Sequence, residues 1–437
     1  MPLRPRRFPD SLRPTMTLCL VAWAACPSSG PGGGGPAADL AMPLADMATA
    51  GSPDLATADL GCPPRTLPSG GSCVPCNVVV PTDQPTISAA ITASPSPGTV
   101  CILAGTYNES LTLRPHVSLV GAGASRTWIQ GSVSVRGLPD ADATPTALRD
   151  LGVRYPALAA LTSSDANMPT CVPSSINVTG KSLSLLVERA VIEATDTAST
   201  SYCADIETFG TDLNITVRDS VCRGERGLRL LLNADSSSVV HALFLIERNR
   251  FEPIPPALTW TFDPVAILLH GPATGMLPAG SQVRATVRNN EFLRTRYEGV
   301  YLALGMALQA ADRAAAQVVV VNNTLVSDDG KNAIWDNSLA GGYPLLVSAN
   351  NLFQGLTTIY SGRAPSVDVS NQIAAANAFV DLAGGNLQLA AGANAIDKGD
   401  ATLAPSDDKN GRPRPIDGTG SGRALPDVGA HEYVPGK

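Results

Sequence analysis

Through the middle of the chain one short unit of apolar and polar positions recurs: a β-branched residue, any residue, two small polar residues, any residue, then an apolar residue. The copies run Val187–Ile192, Val217–Cys222, Ile246–Phe251, Val287–Phe292, Val320–Leu325 and Ser348–Phe353. Each reads as a strand, a polar bend and a second strand. Their fourth positions, Ala190, Ser220, Asn249, Asn290, Asn323 and Asn351, are 30, 29, 41, 33 and 28 residues apart. A coil of three short strands needs about 20 residues, so each interval is one coil plus insertions on a constant scaffold. Asparagine suits the bend because it tolerates left-handed backbone angles and its amide can bond to the same amide one coil on. The pattern therefore predicts an all-β solenoid, a parallel β-helix, with a structural ladder of Asn249, Asn290, Asn323 and Asn351. Stacked hairpins would instead favour Asn-Gly and Asp-Gly loops, which are scarce in the repeat.

The strand before each bend can be aligned coil by coil as Asp205–Glu207, Leu228–Leu230, Ile267–Leu269, Val300–Leu302, Ile334–Asp336 and Ile359–Tyr360. Strand side chains alternate faces. With Ile206, Val300, Ile334 and Ile359 pointing inward, Glu207, Arg229, Tyr301, Trp335 and Tyr360 form an outward row on coils spaced about 4.8 Å apart. Aromatics at one end and a Glu/Arg pair at the other can stack sugar rings and bind their hydroxyls or carboxylates, so these five are the candidate glycan-binding residues. The plainer role for such a row is cross-strand packing. Asp205, Glu207 and Asp219 supply oxygen ligands of the kind calcium takes, against the commoner role of acidic residues on solvated turns. Calcium is the one cofactor the sequence suggests, and weakly.

Composition agrees with a turn-rich β protein: 16% charged residues, 40 glycines and 36 prolines in 437 residues. The N-terminus has four arginines, an apolar run from Leu18 to Ala25, then Cys26. This reads as an export signal over residues 1–25, too short to cross a bilayer as a helix. Trp23-Ala24-Ala25-Cys26 resembles a bacterial lipobox, which implies lipidation of Cys26 and attachment to an outer membrane or cell surface. Residues 26–61, rich in Gly, Pro and Ala, form a disordered tether, followed by a Cys-rich lead-in over 62–82. Losing residues 1–25 removes four arginines and Asp10, three net positive charges, and moves the formal charge from −7 to −10. An acidic body argues against a nucleic-acid partner. Beyond Cys19 and Cys26, Cys62, Cys73, Cys76, Cys101, Cys171, Cys203 and Cys222 remain, and export makes structural disulfides the leading reading for them. The histidines show no ligand spacing.

Two resemblances add to this. Asp83 to Gly131 resembles the opening coils of the pectin-lyase-like superfamily: an amphipathic helix near Thr86 to Ala93, then Gly98–Glu109 and Val117–Gly123. That implies a right-handed parallel β-helix over 83–390, with Ile87, Ala90 and Ile91 capping its open apolar end. The segment 391–437, with Ala395–Asp400, Asp407, Gly411–Arg414 and Pro426–Glu432, resembles the choice-of-anchor Q domain and is expected to be a C-terminal cap.

Enzymes of the resembled superfamily imply either calcium-holding carboxylates with an arginine or lysine base, or paired aspartates for hydrolysis. Neither set is intact. Asp328-Asp329-Gly330 reads as a solvated loop, and Arg412 and Arg414 belong to the terminal motif. The favoured reading is an exported, monomeric module that binds polysaccharide or a cell-surface glycan, or serves a structural or adhesive role. The alternative is a polysaccharide lyase or glycoside hydrolase acting on an acidic polysaccharide.

Overall fold

The computed structural model describes residues 62–136, 145–155, 159–164, 177–178, 182–194, 202–208, 211–224, 226–233, 239–253, 265–270, 278–295, 299–304, 316–328, 330, 332–336 and 345–436. The export signal expected over residues 1–25, Cys26, the tether expected over 26–61 and Cys171 lie outside them.

Three parallel sheets make up the body. The first has eleven strands, from Val78–Val80 to Val367–Val369; the second has ten, from Gly105–Tyr107 to Gln372–Ile373. The third also has ten, running from Leu111–Leu113 to Tyr360–Gly362 with Asn177–Val178 paired beside Tyr202–Thr208. Successive strands of the chain enter the three sheets in rotation, and each strand pairs in parallel with the one a coil away. This is a parallel β-helix, of the right-handed sense that crossovers between parallel strands take.

Alternation sorts side chains between the lumen and the outside. Leu185, Ile215, Phe244, Ala285, Val318 and Leu346 stack inward from the first sheet. The repeat's sixth positions, Ile192, Cys222, Phe251, Phe292, Leu325 and Phe353, stack inward from the second, where the Phe251 and Phe292 rings lie 5.0 Å apart and nearly parallel. The helix Ile87–Ala93 closes the N-terminal end with Ile87, Ala90 and Ile91 buried. Its first amides are satisfied by Glu109, which accepts from Ile87 N (2.8 Å) and Ser88 N (2.9 Å).

The asparagine ladder runs as the repeat predicts. Backbone N–H groups of Asn249, Asn290 and Asn323 donate to Oδ1 of Asn290, Asn323 and Asn351 at 2.9–3.0 Å. It extends one coil further, because Asn351 N donates to Asn371 Oδ1 at 2.9 Å. One expectation is corrected: the fourth-position asparagine is not the left-handed residue. Positive φ falls one residue earlier, at Arg189, Asp219, Arg248, Asn289, Asn322 and Asn350. The bend thus divides its work, with the third residue turning the chain and the fourth sending its amide inward along the stack.

The bend also carries a two-column checkerboard of charge. Arg149, Glu188, Arg218, Glu247 and Arg288 occupy one register position on successive coils, with Arg218–Glu188 at 2.5 Å and Arg288–Glu247 at 2.6 Å. Asp150, Arg189, Asp219 and Arg248 alternate in the opposite phase beside them, and Arg189–Asp150 and Arg248–Asp219 each close at 2.7 Å. The lead-in hairpin Thr66–Pro75 docks on this column through Ser69, which donates to Asp150 Oδ2 at 2.5 Å and accepts from Arg189 at 2.9 Å.

The C-terminal segment packs along the side of the solenoid. Leu293, Val326 and Leu352 on the outside of the second sheet share one buried cluster with Phe379, Leu387, Leu389, Ile396 and Val428. Residues 429–431 then climb about one coil per residue: Gly429 over Leu352, Ala430 N donating to Thr324 Oγ1 (2.9 Å), His431 Nε2 against Glu291 (2.8 Å). The quoted acidic and basic residues of the terminal motif hold this strap together. Arg414, buried, pairs with Glu432 at 2.5 Å and donates to the carbonyls of Asp427 and Gly429.

Three disulfides, Cys62–Cys73, Cys76–Cys101 and Cys203–Cys222, indicate folding in an oxidising, extracellular compartment. The first two tie the lead-in to itself and to the first sheet; the third lies in the lumen between the third and second sheets. No helix among the described residues is long and apolar enough to cross a membrane.

Candidate functional site

The corner between the first and second sheets is two residues long in every repeat copy, whereas the insertions that vary in length enter or leave the third sheet. Residues 254–264, 296–298, 305–315 and 337–344 all join strands of that sheet to the scaffold. Variable loops around a regular sheet are where binding residues concentrate, so the outer face of the third sheet is the candidate site.

Register fixes its central row. Asp205, Arg229, Ala266, Tyr301, Trp335 and Ser361 occupy one position on six successive coils. Arg229, Tyr301 and Trp335 therefore share a row, as their sequence alignment predicts. Two members do not. Glu207 pairs with Leu231, two residues along the strand from Asp205, and belongs to the neighbouring row Glu207–Leu231–Leu268–Ala303. Tyr360 pairs with Ile334, in the row that packs inward with Leu228, Val265 and Val300. Its hydroxyl donates to Asp368 Oδ1 (2.8 Å) and accepts from Asn371 Nδ2 (3.0 Å), and burial raises its pKa. A slip of two residues moved Glu207 to the next register row; a slip of one put Tyr360 in the inward-packing row.

Asp205 is the residue that sequence reasoning gave the wrong partner. Its carboxylate accepts two bonds from the Arg229 guanidinium, at 2.8 and 2.7 Å, and its side chain has 0% exposure against 19% for Arg229. The guanidinium also lies 5.0 Å over the ring of Tyr202. This planar, bidentate geometry is what arginine supplies and lysine does not. Asp219 sits elsewhere, at the corner between the first and second sheets and paired with Arg248. Asp205 and Asp219 therefore do not converge on a calcium ion, because each carboxylate already faces a guanidinium from the next coil. No group of three or more metal-ligating side chains occurs among the described residues. The signal for the Asp205–Arg229 pair was available: opposite charges 24 residues apart, close to one coil length.

Trp335 is half-buried in its row. A Cβ on Gly362, one coil on, would approach the indole Cδ1 to 3.3 Å, so the small residue leaves the ring lying against the last coil. Asp328 is exposed at the end of a second-sheet strand, away from this row. The titratable cluster of greatest density lies in the C-terminal strap instead. Burial and Glu432 push Asp427 up to about 7. Glu291, although burial alone would raise it, is held at about 2 by His431, Lys409 and Arg250. Asp427, Glu432, Arg414, Glu291 and His431 bond to one another or to strap backbone.

No family model matches the sequence, and no curated protein sequence matches it. Among solved structures the chain is similar to pectate lyase Pel9A, at 13% identity, with 80% of this chain and 91% of that one covered and a TM-score of 0.42. It is also similar to the A-module of the Azotobacter vinelandii mannuronan C-5 epimerase AlgE6, at 16% identity, with 66% and 94% covered and a TM-score of 0.27. A pectin methylesterase in complex with a hexasaccharide matches at 11% identity over 65% of this chain and 80% of that one, with a TM-score of 0.30. At these identities the likeness is one of fold.

Proposed function

We propose that the protein is an exported carbohydrate-binding β-helix that holds a polysaccharide on the outer face of its third sheet without cleaving it. The observation that carries this reading is the row itself. The sheet whose strands meet variable insertions at both ends brings Tyr301 and Trp335 into register on adjacent coils, and its row includes Arg229, closed in a bidentate pair with Asp205. The half-buried Trp335 ring in this row offers a stacking surface for the apolar face of a sugar ring. Asp205, with both oxygens engaged and none exposed, is in no position to act as a general acid or base on a polymer at that surface. The export signal and Cys26 would tether the face at a membrane surface, which suits capture better than release of a diffusing enzyme.

Electrophoresis of the protein through gels carrying different polysaccharides tests this, run beside an assay for new unsaturated or reducing ends in the same polymers. Retardation without new chain ends is the expected result. Chain cleavage would replace the binding reading with the enzyme, and free passage through every polymer would remove the glycan from the account.

A further inference from the structure

The outer face of the first sheet, over the six strands from Ser182–Glu188 to Leu345–Ala349, has a chemistry of its own. Register sets two inner rows along it. One reads Leu186, Thr216, Leu245, Thr286, Val319 and Val347; the other reads Ser184, Asn214, Leu243, Arg284, Gln317 and Leu345. Arg284 is the one charge in these two rows. Leu243 is 51% and Leu345 38% exposed, and Leu186, Leu245 and Val319 are half-buried. Apolar surface gathered in this way marks an interaction site. The first coils of the same sheet already carry a cover: Leu67 and Cys76 of the lead-in are buried against Cys101 and Val120.

The edges of the face are charged, and they select what covers the rest. One edge row runs Ser182, Asp212, His241 and Gln282; the other is the Glu188, Arg218, Glu247 and Arg288 column of the checkerboard. These four strands each hold seven residues, with inward Leu185, Ile215, Phe244 and Ala285 at their centres. A two-fold axis parallel to the solenoid therefore sets each strand against its own reversed copy. Leu243 then meets Leu245 of the second copy, Asp212 meets Arg218 and Gln282 meets Arg288, and no like charges face each other. The Asp212 and Arg218 side chains are 40% and 35% exposed, so both are free to reach across. An axis along the strand His241–Glu247 would instead set Arg218 against Arg288 and Glu247 against itself, and like charges across an interface oppose binding.

The area is sufficient. Six strands about 4.8 Å apart, with about seven residues of about 3.4 Å each, present about 700 Å². Two copies bury about 1,400 Å², within the about 1,200–2,000 Å² of a stable interface, by the face-to-face packing that sheets adopt.

We infer that the protein forms a homodimer through the outer face of its first sheet, about a two-fold axis parallel to the solenoid. This goes beyond the glycan reading, whose face is not part of the interface, and departs from the monomer expected of the sequence.

Sedimentation velocity of the purified full-length chain over a range of concentrations reads the association. A species of twice 45.0 kDa is expected. A chain still monomeric at about 100 μM, well above the dissociation constants of interfaces this size, would overturn the proposal. Leu243→Asp sets a carboxylate against Leu245 of the second copy, and the two-fold makes the change act twice, so dimerisation should weaken at least about a hundredfold. Asp212→Arg turns an attraction to Arg218 into a repulsion and should weaken the dimer about tenfold at low salt and less at high salt. Val380→Asp, at a 57% exposed residue of the strap hairpin, should change nothing. Thermal melts report the folding of each variant separately. A dimer that survives both Leu243→Asp and Asp212→Arg would move the interface off this sheet. One weakened by Leu243→Asp and unmoved by Asp212→Arg would overturn the axis.

Discussion

Replacing Asn323 with alanine probes the ladder where it is most enclosed. The residue is 2% exposed. Its Oδ1 accepts from the backbone N–H and from Nδ2 of Asn290, both at 3.0 Å, and its Nδ2 donates to Val287 O (2.9 Å), Asn351 Oδ1 (3.0 Å) and Val321 O (3.1 Å). Alanine removes all of these and strands the buried Asn290 N–H. Counting about 1 kcal/mol net for lost bonds whose partners keep another contact, and about 1–3 kcal/mol for the stranded donor, gives a cost of about 4 kcal/mol. Asn371→Ala supplies the contrast. It occupies the last rung, is half-buried, and water can replace its bonds, so the loss there is about 1 kcal/mol. Serine at 323 should recover part of the loss, because Ser220 already serves the same rung by accepting from Ala190 N at 3.1 Å. Urea titrations followed by far-ultraviolet circular dichroism give the comparison, read as midpoint shifts at constant slope. Equal losses at positions 323 and 371 would refute the argument that burial of the amide stack sets its worth.

Other predictions concern the lumen and the strap. Replacing Cys203 and Cys222 with alanine should cost about 3 kcal/mol for a loop of this length, their sequence separation being 19, measured in the same titration without reductant. Gly429 has φ +102°, and a Cβ there would lie 2.8 Å from Thr324 Oγ1 and 2.9 Å from Leu352 Cβ. Gly429→Ala should therefore lift the strap and expose the C-terminus to limited proteolysis while the coils stay resistant. Because Asp427 titrates at about 7 when folded against 3.8 when free, the folded state binds the extra proton in that window, and its stabilisation is lost as pH rises through it. Glu291 acts oppositely, its contribution being lost as pH falls from 4.5 towards about 2. Thermal melts across these two windows should decline on both sides, and a melting temperature rising from pH 5 to about 7 would contradict the Asp427 assignment.

The scaffold was legible because its constraints repeat. The fourth position of the unit pointed to the amide ladder, since it must satisfy the same demand on every coil. Asn371 escaped although Ser370, Asn371 and Ile373 fit the unit's third, fourth and sixth positions and the interval of 20 from Asn351 is a coil without insertion, because a charged Asp368 opens that copy. The left-handed third position was hidden by chemistry: arginine at Arg189 and Arg248 does not look like a turn residue, and there the corner overrides local preference. The checkerboard was written in the repeat copies, yet it appears only when each copy is compared with the next rather than with a consensus. Third-sheet register was the least legible part. Insertions of unequal length precede those strands, so nothing in the chain distinguishes a slip of one or two residues, and Tyr360 and Glu207 were misplaced accordingly. The strap's side-on docking depends on pairs such as His431 and Glu291, 140 residues apart, which no local pattern announces.

Oxidative footprinting of tryptophan with and without an oligosaccharide from a polymer that retards the protein tests the glycan face most directly. Trp335 lies on the third sheet, and Trp128 lies on the second, flanked by Arg154 at 4.5 Å, as an internal control. The account predicts that saturating ligand slows modification of Trp335 and leaves Trp128 unchanged. Equal rates at Trp335 with and without ligand that the protein demonstrably binds, or protection of Trp128 instead, would contradict it.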